Sequence, residues 1–142
     1  MIALSLRPSQ RRWQTITFPS TLYLFPILDL LLQEVPSHLY WDMRLGLQEA
    51  LVNAAKHGNS LDPSKLIEVK FAKQRQTYVW MIADQGQGFC PPVSCHWPAQ
   101  PSPCPEHRQE CGRGIFILFQ VFDEVAWFNE GKELRLTKYL TD

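Results

Sequence analysis

Glu49-Ala50-Leu51-Val52-Asn53-Ala54-Ala55-Lys56-His57-Gly58-Asn59 places a carboxylate, an amide and an imidazole at four-residue intervals. On a helix these three share one ridge. Leu39, Met43, Leu47, Ala50, Leu51 and Ala54 recur at helical spacing and mark a buried stripe. At about 100° per residue the polar ridge lies beside that stripe, at the edge of the core where a cleft can open. Pro36-Ser37 starts the helix with Ser37 as its cap, and Gly58-Asn59 ends it in a left-handed C-terminal turn.

Working outward, Arg12 to Phe18 alternates and predicts a first strand. Pro19-Ser20-Thr21 offers a cap for a helix over Leu22 to Glu34, with Pro26 in its first turns. After the turn at Asp62-Pro63, Leu66 to Phe71 alternates, and Thr77 to Ala83 is a β-branched and aromatic strand ending at Asp84. Gly114 to Phe122 is an apolar helix. Glu124 to Phe128 and Leu134 to Leu140 are strands joined by a turn at Asn129-Glu130-Gly131. Sequential hairpins with separate helices predict an α+β sandwich, helices packed on one face of a mostly antiparallel sheet, in a single domain over residues 1–142.

The bulk numbers fit that reading. The chain has 142 residues, enough for one core, with 45% hydrophobic and 20% charged residues. Lys plus Arg and Asp plus Glu are 14 each, which argues against a nucleic-acid protein held by phosphate contacts. The apolar run from Leu22 to Leu32 is broken by Pro26 and Asp29 and is too short to span a bilayer. Met-Ile-Ala-Leu-Ser-Leu-Arg-Pro lacks a signal-peptide pattern, so a soluble, cytoplasmic protein is expected.

Two further segments carry chemistry. Asp84-Gln85-Gly86-Gln87-Gly88-Phe89 puts a carboxylate and a glycine loop at a strand end. A carboxylate there needs a hydrogen-bonding partner, and an adenine amino group suits it. Gly86 and Gly88 let the backbone approach a flat base or ribose. Gly112-Arg113-Gly114-Ile115 opens a helix, where free amides and the helix dipole hold phosphate and Arg113 adds charge. On the first segment, Asn53 offers an amide oxygen to Mg²⁺, an ion that keeps waters and phosphate oxygens as its other ligands. Glu49, one turn away, is placed to accept a hydroxyl proton. Taken singly, each segment also reads as a solvated helix face or an ordinary glycine turn.

Together the three segments resemble the N box and two glycine boxes of the GHKL (histidine kinase-like) ATPases, and within them the anti-sigma factor serine/threonine kinases. The resemblance runs from about the second helix to the chain end and includes Phe122-Asp123-Glu124-Val125. It implies a helix-over-sheet sandwich, with a mixed, mostly antiparallel sheet, that binds ATP and Mg²⁺. Asn53 would hold the metal and Glu49 act as general base. Asp84 would take the adenine amine, and Gly86, Gly88, Gly112 and Gly114 would shape the pocket and lid. Arg113, Lys56 and His57 would lie near phosphate, and Arg108 would reach the terminal phosphate from the lid. It further implies a STAS-type anti-anti-sigma protein as substrate, a sigma factor as second partner, regulation of transcription, and a homodimer. The family often enters its last strand with Gly-Thr; here Gly131 is followed by Lys132 and Glu133.

Residues 90–111 differ from the rest: six of eleven prolines, all four cysteines and two of four histidines fall there without periodicity. This is the expected ATP lid. Cys90, Cys95, His96, Cys104, His107 and Cys111 allow a zinc site or a redox sensor, but no close Cys-x-x-Cys pair occurs, and incidental thiols on a flexible lid are the preferred reading. The functional alternatives are therefore a nucleotide-gated binding protein with little transfer activity and a redox- or metal-responsive regulator. Trp13, Trp41, Trp80 and Trp127 read as core or interface residues and Trp97 as a lid residue.

Overall fold

The computed structural model describes residues 12–89 and 113–140. Strands β1 (Gln14–Pro19), β2 (Leu66–Gln74), β3 (Thr77–Ala83), β4 (Glu124–Phe128) and β5 (Glu133–Tyr139) form one sheet in the order β1-β2-β3-β5-β4. All four pairings are antiparallel, so the parallel component of a mixed sheet is absent among the described residues. Helices α1 (Phe25–Leu31), α2 (Ser37–Val52) and α3 (Arg113–Val121) complete the α+β sandwich.

The register explains which face the helices cover. Ile16, Val69, Ile82, Leu134 and Trp127 are successive cross-strand partners, as are Phe71, Trp80, Leu136 and Val125. These residues pack with Leu28 and Leu31 of α1, Met43, Leu47 and Leu51 of α2, and Leu118 of α3. Residues of opposite parity, such as Thr15, Lys70, Met81 and Arg135, fall on the other face. Trp80 anchors the core: its indole N–H donates to the Leu31 carbonyl at 3.2 Å, and its ring meets Phe122 edge-on at 5.8 Å. The Tyr78 hydroxyl donates to the Glu34 carbonyl just beyond α1. The first satisfies a carbonyl that the end of α1 leaves open, and the second one in the turn that follows it.

Several local expectations need correction. Helix α1 is shorter than Leu22 to Glu34: Pro26 fits only its first turn, and Leu32, at φ −106° and ψ 5°, leaves the helical conformation and ends it. Neither Ser20 nor Thr21 caps it; Leu24 is the N-cap and uses no side-chain bond. Ser37 is the first helical residue of α2, behind an extended Pro36 N-cap, so it does not cap either. The largest correction concerns the end of α2. From Asn53 to Gly58 the helix widens into a π-helical turn. The Asn59 N–H bonds the Ala54 carbonyl at 2.9 Å, and the Leu61 N–H bonds Ala55 at 2.8 Å. The left-handed residues that end the helix are Ser60 and Leu61, with φ of 54° and 56°; Gly58 is not among them. The turn at Asn129-Glu130-Gly131 is as expected, with φ of 53°, 57° and 87°.

Candidate active site

A cavity of about 480 Å³ opens between α2 with its π-turn, the start of α3, and the sheet ends at Asp84 and Lys132. That volume lies in the range of small-molecule sites. Glu49, Asn53, Lys56 and His57 all line it, as do Asp84, Gly88 and Gly114. The polar ridge expected beside the apolar stripe is therefore the cavity wall. The π-turn, a feature enriched at functional sites, keeps Lys56, His57 and Gly58 on that wall past the end of regular α2.

Glu49 and Asn53 are half-buried, and neither side chain has a hydrogen-bond or ion-pair partner among the described residues. Helix α3 starts directly against them. A Cβ built on Gly114 would sit 2.8 Å from Glu49 Oε2 and 3.6 Å from Asn53 Nδ2. A side chain there would push the carboxylate tip of Glu49 aside, so the glycine lets α3 start close against it without moving that group. A half-buried neutral amide with open coordination fits a hard cation that brings its own water and phosphate ligands.

At the other end, Asp84 continues β3. Its N–H donates to the Lys132 carbonyl at 3.0 Å, and its Oδ1 accepts the Gly86 N–H at 2.8 Å. Oδ2 has no partner among the described residues. Burial pushes the carboxyl pKa up, partly opposed by the Gly86 N–H and by the charges of Lys132 and Lys65. The folded state thus holds its proton more tightly than the unfolded chain does. Stability from this group is fully present below the ordinary carboxylate range and is lost as pH rises through the raised value. The melting temperature of an Asp84→Asn variant, minus that of the native chain, is expected to increase as pH rises through that window. Parallel melting curves across a pH series check this.

The glycine loop is held from two sides. Gly88, at φ +84°, lies on the β4–β5 turn, where a Cβ would meet the Glu130 carbonyl oxygen. The Phe89 N–H then donates to that same oxygen at 2.8 Å. A Cβ on Gly86 would collide with the Gly58 carbonyl oxygen, so the loop and the π-turn touch backbone to backbone.

Two contributors were not foreseen. Asn59, read only as a helix stop, is fully buried and ties three segments together. Its Nδ2 donates to Ser20 Oγ at 2.8 Å and to the Leu66 carbonyl at 3.0 Å, while its Oδ1 accepts the Gln85 N–H at 2.7 Å. The Leu66 N–H in turn donates to Gln85 Oε1 at 2.7 Å. This network fixes Asp84 relative to α2. Asn59→Ala would strand two backbone groups, each costing roughly 1–3 kcal/mol. A stability loss of about 3 kcal/mol, and a melting point lower by roughly 10 °C, is expected in a thermal denaturation series. Trp127 is the second. It lines the cavity beside Leu134 and meets Phe89 edge-on at 5.9 Å, so it is both a core residue and a pocket wall. Its place in a strand gave a core or interface residue; only the pairing with Leu134 puts it on the cavity.

Arg113 is the first residue of α3. Gly112, Arg108 and the cysteine- and histidine-containing stretch 90–111 lie outside the described residues.

Residues 30–138 match the family described as the histidine kinase-like ATPase domain. The chain belongs to this family. It is 28% identical over 102 residues to the serine-protein kinase RsbW of Bacillus velezensis, a match covering 70% of this chain and 64% of that one. It is 26% identical over 106 residues to RsbW of Bacillus licheniformis, covering 70% and 64%, and 26% identical over 107 residues to RsbW of Oceanobacillus iheyensis, covering 71% and 66%. The chain thus spans about two thirds of the length of these curated relatives or slightly less. No helix among the described residues is long and apolar enough to cross a membrane.

Proposed function

We propose that this chain is an ATP-dependent serine/threonine protein kinase that acts as an anti-sigma factor, phosphorylating a STAS-type anti-anti-sigma protein and so regulating transcription. The observation that carries the reading is a Glu49 carboxylate, without a partner among the described residues, one turn from Asn53 and in the same cavity as Asp84. A histidine kinase-like ATPase that only binds nucleotide has no need of such a base. The serine-protein kinases among its relatives support the acceptor class.

In this reading Asp84 accepts the adenine amine through Oδ2, and Phe89 and Trp127 supply apolar walls. The phosphates extend toward the start of α3, where Gly112, Arg113 and Gly114 offer amides and charge, with Lys56, His57 and the lid residue Arg108 contributing cations. Asn53 would hold Mg²⁺, which when bound neutralises phosphate charge. Glu49 orients the acceptor hydroxyl and takes its proton; such catalysis is mainly positioning and electrostatics. Residues 1–142 form one ATPase domain with residues 90–111 as its lid, acting as a homodimer that also binds a sigma factor.

The test is transfer of radiolabelled γ-phosphate from ATP to a serine or threonine of a recovered STAS-type partner. Transfer supports the reading. Tight ATP binding with no transfer would replace it by a nucleotide-gated binding protein.

A further inference from the structure

Asp84 and Lys132 extend the pairing of β3 with β5. The register matches Ile82 with Leu134 and Ala83 with Glu133, and the Asp84 N–H carries the ladder one step further to the Lys132 carbonyl. Alternation then puts both side chains on the face of Ile82 and Leu134, and all four residues line the one cavity. Opposed acid and base side chains at cross-strand distance ordinarily pair. Here they do not. The ion pairs among the described residues are Lys70 with Glu68 and Lys138 with Asp123. Among the described residues the Asp84 side chain bonds the Gly86 N–H alone. Lys132 is half-buried, and its charge still acts on Asp84. The sheet end of the cavity therefore carries an acceptor and a charged donor side by side, lining the same space and not consumed by one another.

We propose that Lys132 is a specificity-determining residue that donates a hydrogen bond to N1 of an adenine whose 6-amino group is held by Asp84, an inference that rests on the nucleotide-binding reading above. The ribose, attached at N9, must point toward Glu49 and Asn53 for the phosphates to reach α3. The edge farthest from N9 then enters first, and it carries the 6-amino donor beside the N1 acceptor. Asp84 and Lys132 match that order. Guanine and hypoxanthine present an acceptor at position 6 and a donor at position 1, so each would meet the wrong partner. A polar group that is matched in one base and opposed in another discriminates strongly, because the mismatched groups are desolvated without compensation.

Calorimetric titration of the native chain and of Lys132→Met with ADP, 1-deaza-ADP and 7-deaza-ADP tests this. The native chain should bind ADP and 7-deaza-ADP alike and 1-deaza-ADP about tenfold or more weakly, the scale of a charge-assisted hydrogen bond. Lys132→Met should bind all three alike, at the native level for 1-deaza-ADP. The proposal is overturned if the native chain binds 1-deaza-ADP as tightly as ADP, or if the variant keeps the difference between them. Should Lys132→Met fail to fold, the three ligands on the native chain decide the N1 contact, and Lys132→Gln, which keeps a neutral donor, decides the residue by retaining part of the preference. No binding of any of the three by the native chain is a separate result, which removes the nucleotide reading and this one with it.

Discussion

Glu49→Gln is expected to lower phosphate transfer to the partner protein by about 10²- to 10⁴-fold, the usual scale for removing a positioned general base. ADP affinity should stay within a few-fold of native. The substitution is nearly isosteric, and Glu49 has no partner to lose among the described residues. Its carboxylate sits against Gly114, where a Cβ would come within 2.8 Å of Oε2, so an amide fills the same space without moving α3. The two measurements separate roles. Transfer that falls while binding holds places Glu49 in the chemical step; parallel loss of both makes it a binding residue. Unchanged transfer would remove it from the mechanism.

The reasons some of this was legible in the sequence, and some not, are physical. Helical periodicity located α2 and put Glu49, Asn53 and His57 beside its buried stripe, because both depend on one angle per residue. Composition located the strands that carry Trp80 and Val125, but their shared covered face came only with the register. The π-turn left no such trace. Leu47, Ala50, Leu51 and Ala54 keep α-helical spacing into it, and the change lies in which carbonyl the Asn59 amide reaches. Local propensity also misplaced the caps. Ser20 and Ser37 look like N-caps, but the Ser20 hydroxyl is used over a long range, donating to the Lys65 carbonyl at 2.8 Å and accepting from Asn59. Asn59 illustrates the general limit. A buried amide with partners from three segments is invisible until those segments meet. Trp127 likewise needed the β4–β5 register before it could be seen as a pocket wall.

Asp84→Asn is expected to weaken ADP binding by about 10²- to 10³-fold without lowering stability at neutral pH. The native carboxylate has two acceptor oxygens in two jobs: Oδ1 takes the Gly86 N–H, while Oδ2, packed against Gly58 where a Cβ would collide with it, is the oxygen left for the base. An amide has one acceptor. If its oxygen stays on Gly86, its NH₂ confronts the adenine amine; if it flips, its NH₂ confronts the Gly86 N–H. Either way a charged hydrogen bond worth roughly 1.5–3 kcal/mol is exchanged for a donor–donor contact, which adds to the loss. The fold is spared for the opposite reason. Burial already disfavours the charged carboxylate, so a neutral group removes a cost that the native protein carries for its ligand. IDP, whose position 6 accepts where adenine donates, should lose far less affinity than ADP, so the ratio of the two affinities should fall even though Lys132 still opposes hypoxanthine at position 1. Titrations with both nucleotides, alongside a melting curve, measure all three quantities. An ADP affinity within about threefold of native would mean that Asp84 does not hold the base, whereas a lower melting point would mean that its charge, and not only its Oδ1 bond to Gly86, supports the loop.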